Sequence, residues 1–156
     1  MFSSMDRSGA SALRQFILIV RRTGGGRPMS FDRGTSHLKE GHEYLAPDTS
    51  EIRLLSAGSA GSLCHCTLPA GKASTAVRHR SVEEIWYCVE GEGEVWREGL
   101  QPYEIVSLTP GTSVVIPPRT AFQFRTVSPI PLKLIITTMP PWPGSEEAQP
   151  ARGHWR

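Results

Sequence analysis

Two residues able to move a proton or hold a metal, His79 and Glu84, stand five positions apart in the stretch AVRHRSVEEIWYCVEGEG, residues 76–93. An imidazole and a carboxylate at that spacing suit two kinds of chemistry. They can act together as a general acid and base, or as two of the three or four ligands that a divalent transition metal takes at about 2.0–2.2 Å. A third ligand could come from the CHC run at 64–66, where strand alternation puts Cys64 and Cys66 on one face and His65 on the other. Only one of those faces can look into a closed barrel. Free cysteine is among the most buried residue types, so two thiols packed in a core strand is the plainer reading of the pair.

The neighbouring charges carry less chemistry. Arg78 and Arg80 face the opposite way from His79 and read as a solvated strand face or a subunit contact. Arg119 and Arg125 bracket a second aromatic stretch and suit contact with an anionic substrate at a barrel mouth. Glu92 falls between Gly91 and Gly93, where a turn with positive φ is cheap only for glycine, and reads as an exposed turn residue.

Short β-type runs must position these groups. From Glu51 onward they alternate with turn signals: EIRLLSAG, GSLCHCTLPAG, EEIWYCVEGEG, EVWREG, YEIVSLTPG, SVVIPPR, FQFRTV and LKLIITTM. None has a helical period, and 15 glycines and 13 prolines supply the turns, so the fold class is all-β, a sandwich or closed barrel that hides its strand edges. The 156 residues suit one compact domain. Residues 1–28, Ser/Arg-rich and ending in RRTGGGRP, are expected as a flexible N-terminal extension. The barrel domain is expected over 29–142, and 143–156 as a C-terminal tail lying over the barrel without regular structure.

Composition narrows the partners. A net charge of +2 with scattered basic residues argues against nucleic acid. The apolar run FILIV at 16–20 is far short of the roughly 20 residues that span a bilayer, so no membrane partner is expected. Three cysteines cannot all pair internally and no secretory signal pattern opens the chain, which makes the cytoplasm the expected compartment.

Gly71, His79, Glu84 and Gly91, with Gly111 and Pro117 further on, fall at the spacings of the two motifs of the cupins, G-x5-H-x-H-x4-E-x6-G and G-x5-P-x-G-x2-H-x3-N. The chain is identified on these residues as resembling the cupin superfamily over about residues 50–140. It departs from the pattern where Val77 takes the first histidine position, Arg119 the second motif's glycine, Phe122 its histidine and Thr126 its asparagine. The resemblance implies a cupin-type double-stranded β-helix, or jelly-roll, barrel. The family typically holds iron, manganese, zinc or nickel with three histidines and a glutamate. Neither valine nor phenylalanine donates an electron pair, so no cofactor is expected, with a divalent transition metal at His79 and Glu84 as the alternative.

If the family pattern holds, the cavity faces carry Glu84, Trp86 and Cys88 on one strand and Phe122 and Phe124 on another. A glutamate between aromatics is desolvated and its pKa rises, whereas a charged His79 nearby would lower it. His79 and Glu84 are then the candidate catalytic pair, and Trp86, Cys88, Phe122, Phe124, His65 and Arg119 the candidate substrate-binding residues. The function this implies is a metal-independent acid/base isomerase or cyclase acting on a small-molecule substrate in a biosynthetic pathway, with a homodimer expected from the family. Two alternatives stay open: a metal-dependent oxygenase that recruits His65 or a cysteine, and a non-catalytic barrel that only binds a small ligand.

Overall fold

The computed structural model describes residues 34–156. Residues 1–33 lie outside the described residues, and with them the extension expected over 1–28. The described chain is built from antiparallel strands. They are β1 (Tyr44–Leu45), β2 (Glu51–Ala57), β3 (Ser62–Leu68), β4 (Val77–His79), β5 (Glu83–Glu90), β6 (Gly93–Arg97), β7 (Ile105–Leu108), β8 (Ser113–Ile116), β9 (Ala121–Thr126), β10 (Leu132–Met139) and β11 (Ala148–Pro150). One sheet runs β1-β2-β3-β10-β5-β8 and the other β11-β4-β9-β6-β7.

Period-two patterning decides what each strand buries. On β5 Glu84, Trp86 and Cys88 point inward while Ile85, Tyr87 and Val89 are exposed. On β10 Leu132, Leu134, Ile136 and Thr138 point inward. The two sheets meet through aromatic rings: Trp86 packs edge-on against Phe122 and Phe124, with centroids 5.4 and 5.0 Å apart. Burying each such ring is worth roughly 1.5–3 kcal/mol, with more from the edge-to-face geometry.

The turn after β5 depends on Gly91, which sits at φ 77° with a Cβ position only 2.3 Å from the Pro131 carbonyl oxygen. Any side chain there would collide with backbone. Glu92 beside it is exposed, as its place in the turn requires.

The C-terminal segment is more ordered than its proline content suggests. Ser145–Glu147 form a 3-10 turn, and β11 pairs antiparallel with β4, so that Ala148 stands opposite His79. The expected irregular tail is therefore corrected: its middle is an edge strand, too short for periodicity to reveal, with Pro150 at the end of an edge where a missing donor is tolerated. Beyond it, one amide fastens the chain. Gln123 accepts hydrogen bonds from the backbone N–H of His154 (2.9 Å) and Trp155 (2.8 Å) and donates to the carbonyls of Ser74 and Trp155 (2.8 and 3.2 Å). Gln123 is buried for this reason, against the alternation of its strand. Among the described residues no helix is long and apolar enough to cross a membrane.

Candidate active-site cavity

A cavity of about 260 Å³ opens between the sheets. Its walls come from β1, β2 and the connection between them, from β3, β4, β5, β9 and β10, and from the C-terminal segment at Trp142, Ser145 and Ala148. His79, Glu84, Trp86 and Phe122 all line it, so the two candidate catalytic residues and two of the candidate binding residues are brought together.

His79 ends β4 and is 4% exposed. Its ring is wedged edge-on between Phe122 (5.1 Å) and Trp142 (5.0 Å). Among the described residues its Nδ1 has no hydrogen-bond partner, and it lies 3.7 Å from Glu84 Oε1, beyond hydrogen-bonding distance. Burial drives its pKa down to about 4 against the pull of Glu147, so the imidazole is neutral at physiological pH. The strand end is held by Arg119, whose backbone N–H donates to the His79 carbonyl at 2.7 Å. Arg119 does this at φ 65°, the left-handed region, at the position where the cupin motif has glycine.

Glu84 is buried beside Trp86, whose indole Nε1 donates to Oε2 at 2.8 Å. Burial raises its pKa to about 8; the indole hydrogen bond opposes this, and the charges of Asp48 and Glu147 add to it. The rise follows the expectation for a carboxyl among aromatics, but no charged histidine counters it. The ordinary order of proton affinity is inverted here: at neutral pH the carboxyl keeps its proton while the imidazole has none to spare.

The other four candidates do not line the cavity. Cys88 faces inward but lies at the closed end, its thiol against the carbonyls of Glu90 and Gly91 at 3.8 Å. Phe124 is fully buried behind Trp86 as a second layer. His65 is on the far face of β3, opposite Arg53 and Ile135, where burial, Arg53 and Lys133 lower its pKa. Arg119 is exposed in the β8–β9 turn, and its backbone rather than its guanidinium serves the site.

Two acids that periodicity did not single out belong to the site. Asp48, buried at the cavity wall, accepts hydrogen bonds from Ser50 N–H (2.9 Å) and Ser50 Oγ (2.6 Å), both on Oδ1. Burial raises its pKa, with the Ser50 bonds opposing. Glu147, in the 3-10 turn, accepts hydrogen bonds from Ser81 and Val82 N–H, both at 2.6 Å, which pins the loop after His79. Burial would raise its pKa, but these bonds outweigh it and the carboxylate is held below its usual range. The Asp-x-Ser pattern of 48–50 suits a turn and is the signal that could have located Asp48; no comparable pattern marks Glu147.

The donor set does not fit the transition metal that the family typically holds. Val77 and Phe122, at the two lost histidine positions, stand directly opposite each other on β4 and β9 and form one apolar pair. Among the described residues no three His, Cys, Asp or Glu side chains are grouped so as to hold a metal. Cys64 does line the cavity, but burial, and then Glu84 and Asp48, push its thiol far above the usual range, which leaves it neither a ready ligand nor a nucleophile.

Residues 64–138 match the cupin domain model. An uncharacterized protein of Methanocaldococcus jannaschii is 29% identical over 104 residues, 64% of this chain and 80% of that protein. Among solved structures, ectoine synthase from P. lautus is similar with a TM-score of 0.59 and 23% identity, covering 78% of this chain and 91% of that one. KdgF from Halomonas sp. gives 0.55 and 22%, covering 67% and 94%. A Lactobacillus farciminis oxalate decarboxylase in a formate complex gives 0.58 and 18%, covering 72% and 33%. At these identities the likeness is one of fold.

Proposed function

The β-barrel of this chain is a cupin domain, and from that premise we propose that its cavity belongs to a small-molecule enzyme that isomerises or cyclises its substrate by acid/base chemistry without a metal. One observation carries this reading. Glu84 Oε1, in a carboxyl whose pKa burial raises to about 8, and His79 Nδ1, without a partner among the described residues, lie 3.7 Å apart in one apolar cavity.

The proton balance follows from those two states. Glu84 donates its proton to a basic atom of the substrate, and Trp86 Nε1–H, already on Oε2, stabilises the carboxylate that forms. His79 Nδ1 accepts a proton from another position of the substrate. A neutral imidazole with a low pKa is a weak base alone, but the new Glu84 carboxylate beside it favours the imidazolium. One proton given and one taken leaves the substrate's composition unchanged, which is an isomerisation; a bond closing between the two positions makes it a cyclisation. Return of the proton from His79 to Glu84 resets the pair. Trp86, Phe122 and Trp142 exclude water and fix the orientation of what is bound.

The test compares wild-type protein with Glu84→Gln on a fractionated extract of small metabolites, followed by mass spectrometry. The expected result is a metabolite converted to an isomer of the same composition, open or ring-closed, by the wild type and about 100-fold or more slowly by the variant. Equal conversion by Glu84→Gln would overturn the acid/base reading, and no conversion by the wild type would leave the barrel as a binding module.

A further inference from the structure

Three groups able to accept a hydrogen bond, Asp48, Glu84 and His79, line the cavity, and among the described residues no lysine or arginine does. Asp48 is 8% exposed and lines the cavity, and the two hydrogen bonds from Ser50 both fall on Oδ1. Burial raises the Asp48 pKa and the Ser50 bonds oppose this; a cation brought beside it would favour the anion. His79 Nδ1, in a side chain 5% exposed and without a partner among the described residues, is a second acceptor in the same wall. The remaining surface is rich in aromatic rings, from Tyr44, Trp86, Phe122 and Trp142. A cation over such rings is attracted by their quadrupoles, by about 2 kcal/mol or more when desolvated.

Among the described residues no cationic side chain in the cavity wall offers a partner to an anion. The arginine expected to receive one, Arg119, is exposed and does not line the cavity. The volume of about 260 Å³ suits a small molecule.

We propose that the cavity takes a small amine in its ammonium form, with Asp48 as the counter-ion, His79 Nδ1 as a second acceptor and the rings of Trp86, Phe122 and Trp142 around the cation. This rests on the reading of the cavity as a small-molecule site and names its substrate class. Asp48 holds the charge in place, and Glu84 is left to carry the proton that the chemistry moves.

Isothermal titration of the full chain at pH 7 with three probes of one shape, benzylammonium, benzyl alcohol and benzoate, tests the assignment. The expected order is benzylammonium about tenfold or more tighter than benzyl alcohol, with benzoate weakest. In Asp48→Asn the ammonium should fall to within about threefold of the alcohol, while the alcohol binds as before and shows the cavity intact. Benzoate binding as tightly as benzylammonium, or an undiminished ammonium preference in Asp48→Asn, would overturn the proposal. If that variant does not fold, the wild-type order of the three probes decides. Alcohol binding equal to ammonium sinks the amine class and leaves the small-molecule reading standing; binding of none of the three sinks both. Tight ammonium binding together with unimpaired turnover in Glu84→Gln would sink the acid/base function alone.

Discussion

Replacing Glu84 by glutamine should change how stability depends on pH more than it changes stability at any one pH. In the folded protein burial lifts the Glu84 pKa from 4.5 to about 8, while in the unfolded chain it returns to the ordinary value. Between those limits the folded state holds a proton that the unfolded state gives up, so raising the pH favours unfolding. Every pH unit crossed between the two values weakens the fold by about 1.36 kcal/mol; over the full interval the loss is on the order of 5 kcal/mol. From pH 6 to pH 8, allowing for half-ionisation at the upper end, it is about 2 kcal/mol. Glutamine has the same shape and no proton to lose.

The neighbours that face Glu84 are Asp48, Cys64, His79 and Glu147, and all stay in place in the variant. His79 works in the opposite direction, because its pKa of about 4 against 6.5 makes stability rise with pH, but that window closes near pH 6.5. Urea unfolding followed by circular dichroism at pH 6, 7, 8 and 9 reads the difference between the two proteins. Wild type should lose about 2 kcal/mol relative to Glu84→Gln between pH 6 and 8 and level off above the native pKa. A difference that stays constant across that range would mean that Glu84 is already ionised in the folded protein, and the proton-donor role would go with it.

Turnover of the true substrate should follow a bell between limbs near pH 4 and pH 8, set by protonation of His79 and loss of the Glu84 proton; a rate still rising above pH 8 would reverse the assigned roles. Phe122→Ala should destabilise the fold by about 3–5 kcal/mol in urea unfolding, because it removes a ring packed against both Trp86 and His79. Gly91→Ala should lower stability by more than about 2 kcal/mol, since its methyl would stand 2.3 Å from the Pro131 carbonyl at a positive φ. Prolonged chelation should leave the melting midpoint unchanged, given the Val77–Phe122 pair; a clear drop, restored by added metal, would contradict the reading of the donor set.

Much of the fold was legible because eight strands carry their own period-two or apolar signal, and because Gly91 and Pro117 mark turns at family spacing. Strands β1 and β4 form because a longer neighbour offers them hydrogen bonds, and β11 because it pairs with β4, and a local pattern cannot record that. The site divides in the same way. Glu84 and Trp86 could be placed by alternation along one strand, and Val77 with Phe122 by the motif. Cys88 and Phe124 have the right facing but the wrong depth, since periodicity gives a face and not a distance from the mouth. His65 has the wrong face, because Cys64 is the residue of that run turned inward. Asp48 arrives from a loop shaped by its local bonds to Ser50, and Glu147 from a 3-10 turn whose direction is set by tertiary contacts with Ser81 and Val82.

The four tryptophans are split between two environments. Trp86 and Trp142 line the cavity, while Trp96 and Trp155 lie against His154 and Arg125 on the other side of the five-stranded sheet. The molecule therefore carries a built-in optical reporter. The Trp86 indole is bonded to the carboxyl whose charge is at issue, and Trp142 rests on the imidazole. With Trp96 and Trp155 replaced by phenylalanine, the remaining emission would come from the cavity alone, so that ionisation of Glu84 and arrival of a ligand could each be followed by fluorescence without a label or a known substrate.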